Sequence, residues 1–426
     1  MPPFTQHFFW GVSTASHQIE GSTTNDWSEW EQKNAARLAE EAPNKFEHTS
    51  PRWNEIRGEA TDPNNYISGV SDDSYNKWRE DVDLLKQLGV NSYRFSIEWS
   101  RVEPRSGYFV EAAINHYKEM LTALEQNNIE PFITIVHRTI PTWVAAQGGW
   151  ANKKTIADFA HYTKKLVDVF GASVKYWTPL NEPVLNVTGG YIAGLIPPNR
   201  KTIFAGLYAY RNMILAHNKA YAIIKAICPS AQVGSAHAAV YAEAEDGHWY
   251  NQILVNLIHW FTNWKFFNAT KNCLDFIGIQ YYTRGVIGWR KSKYLIPLPG
   301  NIPQPGPASD MGQEIYPDGL YKYTQMVWKR YKLPIIVTEN GIADRNDTLR
   351  PQYIKDHVVE VEKLIADGVD MRGYFYWSLL DNFEWDKGFW PKFGLASVDR
   401  TTKARTLRAS AKTYADIAKH NGMVDQ

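Results

Sequence analysis

The sequence predicts an α/β protein, a single (β/α)8 TIM barrel that spans residues 1–426 as one catalytic domain. Three observations predict it. Eight apolar segments of β type alternate with helical segments, no change of composition marks a linker, and polar residues recur where the strands end. A doubly wound sheet with a second domain is the alternative, because 426 residues are enough for two domains. Alternation at this count fits the barrel better.

The eight predicted strands are apolar runs that end in polar or turn residues. They are residues 8–15, 92–97, 131–136, 174–180, 232–238, 274–280, 334–341 and 371–377. The seventh shows the pattern most clearly, because its β-branched run, PIIVTENG, ends in the turn dipeptide Asn340-Gly341.

Helical segments between the strands carry apolar residues three or four positions apart. They are predicted at residues 72–88, 112–127, 155–170, 201–226, 249–264, 320–331 and 353–367, with a last helix that ends at Gly422. Gln18 and Glu20 are expected in a loop after the first strand. Residues 23–70 are expected to form a long irregular loop with one short helix near 35–41, and residues 294–315 a second, proline-rich loop. Long loops in compact domains are often functional.

Polar side chains occur at or near the ends of six of the predicted strands. They are Arg94, His137, Asn181, Glu182, Tyr282, Glu339 and Trp377. The carboxyl ends of all barrel strands meet at one face, where active sites are built, so Glu182 and Glu339 are expected to face each other across one cleft. Because Glu182 precedes a proline, its backbone is expected to be extended.

Composition argues against nucleic acid or an anionic membrane as a partner. The chain has 46 basic and 45 acidic residues, a formal net charge of +1. Cys228 and Cys273 are too few for a disulfide framework and lack the spacing of a metal site, which favours a reducing compartment. No leader-like segment precedes the first strand and no 18 apolar residues run together, so we expect a cytoplasmic protein. The 17 Trp, 24 Tyr and 18 Phe include residues at strand ends, where flat faces can stack on a sugar ring.

A pair of carboxylates in an aromatic-walled cleft permits three interpretations. Glycoside cleavage needs one protonated and one ionised carboxyl group. Arg94 and a tyrosine near Glu339 are expected to keep Glu339 ionised, whereas Glu182, far from any obvious cation, is expected to keep its proton. Carboxylate-metal chemistry is disfavoured because there is no HExxH motif and no third acidic residue beside either glutamate. A buried ion-pair network is the third interpretation.

Six strings in order carry a resemblance to a known family. They are FFWGVSTASHQIEG, YRFSIEWSRVEP, TPLNEP, DFIGIQYYT, IIVTENG and YFYWSLLDNFEW. In this order and spacing, over essentially the whole chain, the sequence closely resembles the family-one retaining β-glycosidases, which include β-glucosidases and β-galactosidases. The resemblance implies a (β/α)8 barrel without a cofactor or a metal. It also implies an exo-β-glycosidase that hydrolyses terminal non-reducing β-linked sugars by double displacement through a covalent glycosyl-enzyme.

The same resemblance implies roles for individual residues. Glu182 would be the acid/base and Glu339 the nucleophile, with Arg94 and Tyr282 orienting the nucleophile. The residues implied to bind the sugar are Gln18, His137, Asn181, Trp377, Glu384 and Trp385. Taken singly, each of these residues also has a purely structural interpretation. A strand-end histidine is usually hydrogen-bonded within the fold, a tryptophan usually belongs to the core, and a polar loop residue usually faces solvent.

Two positions depart from the family pattern. Arg138 stands where an aromatic residue commonly follows the histidine, and Gln280 stands where an asparagine commonly precedes the paired tyrosines. Both are expected to reshape the edge of the subsite. Phospho-sugar-specific relatives carry serine at the position of Glu384, and a carboxylate there would repel a phosphate, which favours unphosphorylated sugars.

Two other functions stay open beside hydrolysis. A sugar-binding barrel without catalysis would keep the aromatic platform, although the presence of both carboxylates counts against it. A transglycosidase would pass the glycosyl unit to another acceptor. The expected partners are small-molecule β-glycosides or oligosaccharides, with no nucleic acid and no membrane. The sequence decides neither the oligomeric state nor the choice among glucose, galactose and fucose. Aglycone contacts are expected from residues 23–70 and 294–315.

Overall fold

The computed structural model describes residues 4–290, 298–301 and 304–423. Its strands, numbered along the chain, are β1 Phe9–Ser13, β2 Ser92–Ser96, β3 Glu130–Val136, β4 Tyr176–Leu180, β5 Gln232–Val233, β6 His237–Ala238, β7 Tyr241–Ala244, β8 Ile277–Gln280, β9 Arg284–Arg290, β10 Leu298–Asn301, β11 Ile335–Asn340, β12 Met371–Trp377, β13 Ala396–Val398 and β14 Arg405–Leu407.

The main sheet is parallel and closes into a ring, which confirms the predicted (β/α)8 barrel. Its order is β5, β4, β3, β2, β1, β12, β11, β8 and β6. The predicted strand 232–238 is divided into two short pieces. β5 pairs with β4 and β6 pairs with β8, while single bridges join Gly234 to Phe276 and Ala236 to Asn181. This divided segment therefore completes the ring as its fifth strand.

Long helices alternate with the strands and cover the outside of the ring, as predicted, and further helices form within the connecting loops. They are α1 Ser16–Ile19, α2 Asp26–Phe46, α3 Trp53–Ala60, α4 Ser74–Leu88, α5 Trp99–Val102, α6 Glu111–Gln126, α7 Thr142–Ala146, α8 Lys154–Phe170, α9 Pro183–Leu185, α10 Ile203–Ile227, α11 Trp249–His259, α12 Lys265–Thr270, α13 Pro317–Tyr331, α14 Arg350–Ala366 and α15 Ala409–His420. None of the helices in the described part of the chain is long and apolar enough to cross a membrane.

The segment 23–70 is far more helical than its sequence suggests, so the prediction of an irregular loop is wrong. Helix α2 begins after Asn25, whose side chain accepts a hydrogen bond from the Ser28 amide at 2.8 Å, while the Ser28 hydroxyl accepts one from the Asn25 amide at 2.9 Å. This capping box has serine where glutamate or glutamine is usual, and Pro43 lies inside the helix, so both sequence signals are weak. Gln18 is also helical, within α1.

Aromatic side chains fill the part of the barrel interior nearer the amino ends of the strands. Phe132 and Tyr176 stack with ring centroids 4.2 Å apart, and Phe375 meets Phe132 edge-on at 4.8 Å. Phe276 and Phe9 complete this cluster. A packed interior is typical of eight-stranded barrels, whose active sites lie at the carboxyl face of the strands.

A small mixed sheet of three strands lies beside the carboxyl face of the barrel. Its order is β10, β9, β7, and the side chain of Arg284 on β9 pairs with Glu243 at 2.6 Å and with Glu314 at 2.9 Å. These strands were not predicted. Of the predicted loop 294–315, residues 294–297, 302 and 303 lie outside the described part of the chain.

Candidate active site

The predicted strand-end residues converge at the carboxyl face of the barrel. Glu339 lies on β11 and Trp377 ends β12, while Arg94 lies on β2. His137, Asn181 and Tyr282 directly follow β3, β4 and β8 or lie within two residues of them. Glu182 and Glu339 are both buried, and both line the same cavity. The expected meeting of two carboxylates distant in the chain is therefore present.

Glu339 is held by three side chains that donate to its carboxylate. Arg94 Nη1 donates to Oε1 at 2.6 Å and Gln280 Nε2 donates to the same oxygen at 2.5 Å. The hydroxyl of Tyr282 donates to Oε2 at 2.6 Å. Charge-assisted hydrogen bonds of this kind fix a carboxylate in position and favour its ionised form.

Asn181 connects this arrangement to His137. Its Oδ1 accepts from Arg94 Nη2 at 2.6 Å and from Gln280 Nε2 at 2.8 Å, so its Nδ2 faces His137 Nε2 at 3.0 Å. An amide nitrogen can only donate, so His137 Nε2 accepts and the ring proton lies on Nδ1. Burial, with the charges of Arg94 and Arg138, lowers the pKa of His137 well below its usual value, so the ring is neutral.

The pKa of Glu339 reflects opposing influences. Burial raises it to about 7 and the negative charge of Glu182 adds to the increase, although Arg94 and the Tyr282 hydroxyl lower it. The expectation that Arg94 and a tyrosine favour the anion is correct in direction. It omits the larger effect, which is desolvation of a carboxylate that is 3% exposed.

Glu182 has a cation beside it, contrary to the sequence-based expectation. Arg138 Nη2 lies 2.6 Å from Glu182 Oε2, and both side chains are largely buried. The sequence did not indicate this cation because residue 138 follows a different strand from residue 182. The arginine at position 138, where the family pattern has an aromatic residue, was the signal that could have revealed it.

The backbone of Glu182 is left-handed, with φ 45° and ψ 56°, so the predicted extended conformation is wrong. Local hydrogen bonds override the preference of a residue that precedes proline. The Glu182 amide donates to the Ala236 carbonyl at 2.8 Å, and the Glu182 carbonyl accepts from the Leu185 amide at 3.0 Å. A non-glycine residue in this region is strained, and such strain is concentrated at functional sites.

Aromatic rings form one wall of the cavity. The His137 ring is nearly parallel to that of Trp377 at 5.9 Å and to that of Trp385 at 6.0 Å. Trp385 also stacks on His17 at 5.7 Å and meets Trp27 edge-on at 4.6 Å. Trp385 is therefore fixed from several sides, as a platform for a flat ligand requires.

Gln18 and Glu384 lie together at one end of the site. Gln18 Nε2 donates to the Phe383 carbonyl at 2.8 Å and lies 3.5 Å from Glu384 Oε2. Burial raises the pKa of Glu384 to about 7, although the charges of Lys387 and Arg138 lower it. Gln18 Oε1 and His137 Nδ1 are buried and make no hydrogen bond to the described residues.

The cavity itself has a volume of about 220 Å³. Its lining residues are His137, Arg138, Glu182, Leu185, Tyr282, Met311, Gln313, Glu339, Trp377, Glu384, Trp385, Lys387 and Phe393. Met311 and Gln313 come from the second predicted loop, whereas no described lining residue comes from residues 23–70. Within the described residues, no group of three or more His, Cys, Asp or Glu side chains is arranged to hold a metal ion.

Comparisons with known proteins identify the family of this chain. The family model described as Glycosyl hydrolase family 1 matches residues 1–270 and 264–423. The 1,4-beta-D-glucan glucohydrolase of Thermotoga neapolitana is 30% identical over 100% of both chains. Beta-glucosidase A of Thermotoga maritima is 30% identical over 99% of both. The structure titled "Beta-glucosidase from Thermotoga maritima in complex with glucoimidazole" superimposes with a TM-score of 0.86, at 28% identity and 100% coverage of both chains. The chain belongs to glycosyl hydrolase family 1 and is a retaining β-glycosidase, as the resemblance implied.

Proposed function

We propose that this glycoside hydrolase releases terminal, unphosphorylated β-linked glucose, with Glu339 as the nucleophile and Glu182 as the acid/base. One observation carries the assignment of roles. Arg94, Gln280 and Tyr282 all donate hydrogen bonds to the Glu339 carboxylate and restrict its rotation, whereas among the described residues the Glu182 carboxylate contacts Arg138 alone. A nucleophile must be held at a fixed attack distance, while a proton donor must change its hydrogen bonds during the reaction.

The first chemical step forms a glycosyl ester. Glu339 Oε2, which accepts a single hydrogen bond, attacks the anomeric carbon as the bond to the glycosidic oxygen breaks. Glu182 transfers its proton to that oxygen, so the aglycone leaves as a neutral alcohol. Glu182 must be protonated for this step, and its carboxyl group must turn from Arg138 toward the leaving oxygen.

In the second step Glu182 acts as a base instead of an acid. Glu182, now a carboxylate, removes a proton from a water molecule whose oxygen attacks the anomeric carbon. The ester bond to Glu339 breaks and the sugar leaves with its original anomeric configuration. Arg138 is placed to stabilise Glu182 in this ionised state, because its guanidinium already contacts the carboxylate.

The sugar would be recognised by polar atoms that the protein leaves without partners. His137 Nδ1 carries a proton and is suited to donate to a sugar hydroxyl, while Gln18 Oε1 is suited to accept one. Glu384 would accept from the same ring, Asn181 would contact the 2-hydroxyl, and Trp377 and Trp385 would supply the apolar wall and platform.

Glucose is proposed because the names of the two curated relatives refer to glucosides or glucans. The absence of phosphate on the substrate is proposed because Glu384 at the end of the cavity would repel a phosphate group. The chain is proposed to act as one catalytic domain in a reducing cytoplasm, since Cys228 and Cys273 are both free thiols.

The roles of the two glutamates are tested by azide rescue on an activated aryl β-glucoside. Glu339→Gly is expected to be inactive and to give the α-glucosyl azide when azide replaces the lost carboxylate. Glu182→Gly is expected to keep glycosylation and to give the β-glucosyl azide, because azide then intercepts the intermediate. The opposite pairing of products, or turnover of Glu339→Gly at the wild-type rate, would exclude the assignment.

A further inference from the structure

Two neighbouring outer helices, α10 and α11, expose large apolar side chains to solvent. The apolar face, as we call it, consists of Ile203, Phe204, Leu207, Tyr208, Trp249, Ile253, Leu257 and Trp260. Phe204 is 75% exposed and Trp249 is 73% exposed. None of these residues lines the cavity of the active site. A contiguous exposed patch of this size marks an interaction surface more often than chance.

Helix α11 is apolar on opposite sides. Leu254, Val255 and Ile258 pack against the small sheet, in contact with Ala242 and Ile287. The residues of the apolar face on this helix, at positions 249, 253, 257 and 260, are spaced by four, four and three residues and so form one stripe on the outer side. A helix that is apolar on both sides is typical of a buried helix, yet within the described residues the outer stripe has no covering partner.

The stripes of the two helices adjoin. The Tyr210 hydroxyl of α10 donates to the Phe261 carbonyl at 3.3 Å, and the two rings lie 5.5 Å apart. Lys265 Nζ lies 5.4 Å from the Tyr210 ring and 5.6 Å from the Trp260 ring. The end of the α11 stripe, at Trp260, therefore lies near α10, with Lys265 and the buried Tyr210 between them.

Charged side chains are sparse on this surface, where Arg211 is exposed and Lys265 lies beside Trp260. Residues 249–264 contain no Asp, Glu, Lys or Arg, and residues 203–215 contain only Arg211. By contrast, α4 carries six charged residues among its fifteen. Depletion of charge together with enrichment of Trp, Tyr and Phe is the composition of the core of a protein interface.

We propose that the apolar face binds the same face of a second copy of this chain, forming a dimer with two-fold symmetry. A two-fold interface places one surface against itself, so it is favoured where charge is sparse. On this surface Arg211 is exposed on α10 and Lys265 lies beside Trp260, whereas the other residues of the apolar face are uncharged. The formal net charge of +1 adds little long-range repulsion between copies. A membrane surface is less favoured because helices that lie in lipid headgroups carry Lys and Arg along their polar side, and the exposed residues beside the α11 stripe are Gln252 and Asn256.

The area is sufficient for such a dimer. Its eight side chains together expose on the order of 1,000 Å², since a large aromatic side chain accounts for about 150–250 Å². A stable interface of standard size buries about 800 Å² on each partner. The apolar face alone therefore supplies the area that one partner needs.

The test is sedimentation velocity of the full chain over a wide range of concentration, up to roughly 100 μM. Wild-type protein is expected to sediment as a dimer. Phe204→Lys and Leu257→Lys, one substitution on each helix, place like charges opposite each other across the two-fold axis. They are expected to weaken the dimer by about 100-fold or more. Tyr108→Lys is the matched control, because Tyr108 is 51% exposed but lies outside the apolar face.

Circular dichroism and turnover of an aryl β-glucoside check that each variant is folded. Both lysine variants are expected to match the wild type in these measurements, since the substituted residues lie on the surface and outside the cavity. A wild-type chain that stays monomeric at every concentration overturns the proposal, as does a dimer that survives both substitutions. Binding of a monomeric wild type to neutral phospholipid vesicles, lost in both variants, would assign the surface to lipid instead.

Discussion

Arg138 Nη2 lies 2.6 Å from Glu182 Oε2, and the same guanidinium lies 5.1 Å from the centre of the Trp385 ring. One side chain thus joins the proposed proton donor to the proposed sugar platform. Arg138 has a left-handed backbone, with φ 69°, so its orientation is fixed by the chain as well as by its partners. The pair places a cation beside Glu182 at a position where the family pattern has an aromatic residue.

Replacing Arg138 by Gln is expected to lower kcat for an aryl β-glucoside by roughly 10-fold, because the charge-assisted contact that holds the Glu182 carboxyl group in the cavity is lost. Steady-state kinetics measure this change. Arg372→Gln, at an exposed arginine outside the cavity, is the control and should leave kcat unchanged. An Arg138→Gln variant with the kcat of the wild type would contradict this positioning role.

Replacing Glu182 by Gln is expected to lower the pKa of Glu339. The negative charge of Glu182 raises the pKa of Glu339, so its removal should allow the ionised nucleophile to persist at lower pH. The acidic limb of kcat/KM should therefore move to lower pH. A dinitrophenyl β-glucoside is the suitable substrate, because its leaving group needs no proton. Glu182→Asp retains the charge and should keep the acidic limb near that of the wild type; a shift shared by both variants would contradict the explanation.

Gln280 donates to both Glu339 and Asn181, so its loss should weaken the positioning of the nucleophile. Gln280→Leu is expected to reduce kcat by roughly 10- to 100-fold with little change in KM, the range expected for one hydrogen bond to a charged group. Gln280→Asn restores an amide at this position and should recover part of the loss. Steady-state kinetics with a poor leaving group, for which glycosylation limits the rate, provide the measurement. A Leu variant within about twofold of the wild type would exclude this role.

Glu384 should make the folded state less stable as pH rises. Its pKa is raised to about 7 from an ordinary value of 4.5, so the folded protein retains a proton that the unfolded chain releases. The stabilising contribution of this bound proton to the free energy of unfolding is complete below about pH 4.5 and is lost as the pH rises through about 7. Glu384→Gln removes this titration, so its Tm relative to the wild type should be higher at pH 8 than at pH 5. Equal differences in Tm at the two pH values would contradict the raised pKa.

The barrel was predictable because local patterns determine most of its parts. The runs that became β3, β11 and β12 are mostly apolar, β3 and β11 lead directly into polar or turn residues, and helices separate the three strands. Helix α2 was not predictable in the same way, because its cap and its buried tryptophans face other loops rather than the barrel. Strands β7 and β9 were missed because they pair only with each other and with β10, and such pairing leaves no local signal.

The candidate site was predictable to the extent that strand ends define it. Glu339, Glu182, Asn181 and Tyr282 were placed at one face because parallel strands end there. The contact between Arg138 and Glu182 was not predictable, because it joins two loops whose backbones both adopt left-handed conformations. The raised pKa of Glu339 likewise depends on burial, which follows from the whole fold and not from the neighbouring sequence.

The divided fifth strand gives Glu182 and Glu339, the two proposed catalytic carboxylates, unequal mechanical support. Glu182 is tied through its amide to Ala236, in the gap between β5 and β6, where the ring is held by two-residue ladders and single bridges. Glu339 lies in a six-residue strand with a partner on each side. The proposed proton donor therefore borders a weakly paired part of the ring, whereas the proposed nucleophile lies in a well-paired strand. We expect aglycones of different bulk to be accommodated by small displacements of Glu182, while the part of the pocket around Glu339 keeps its shape.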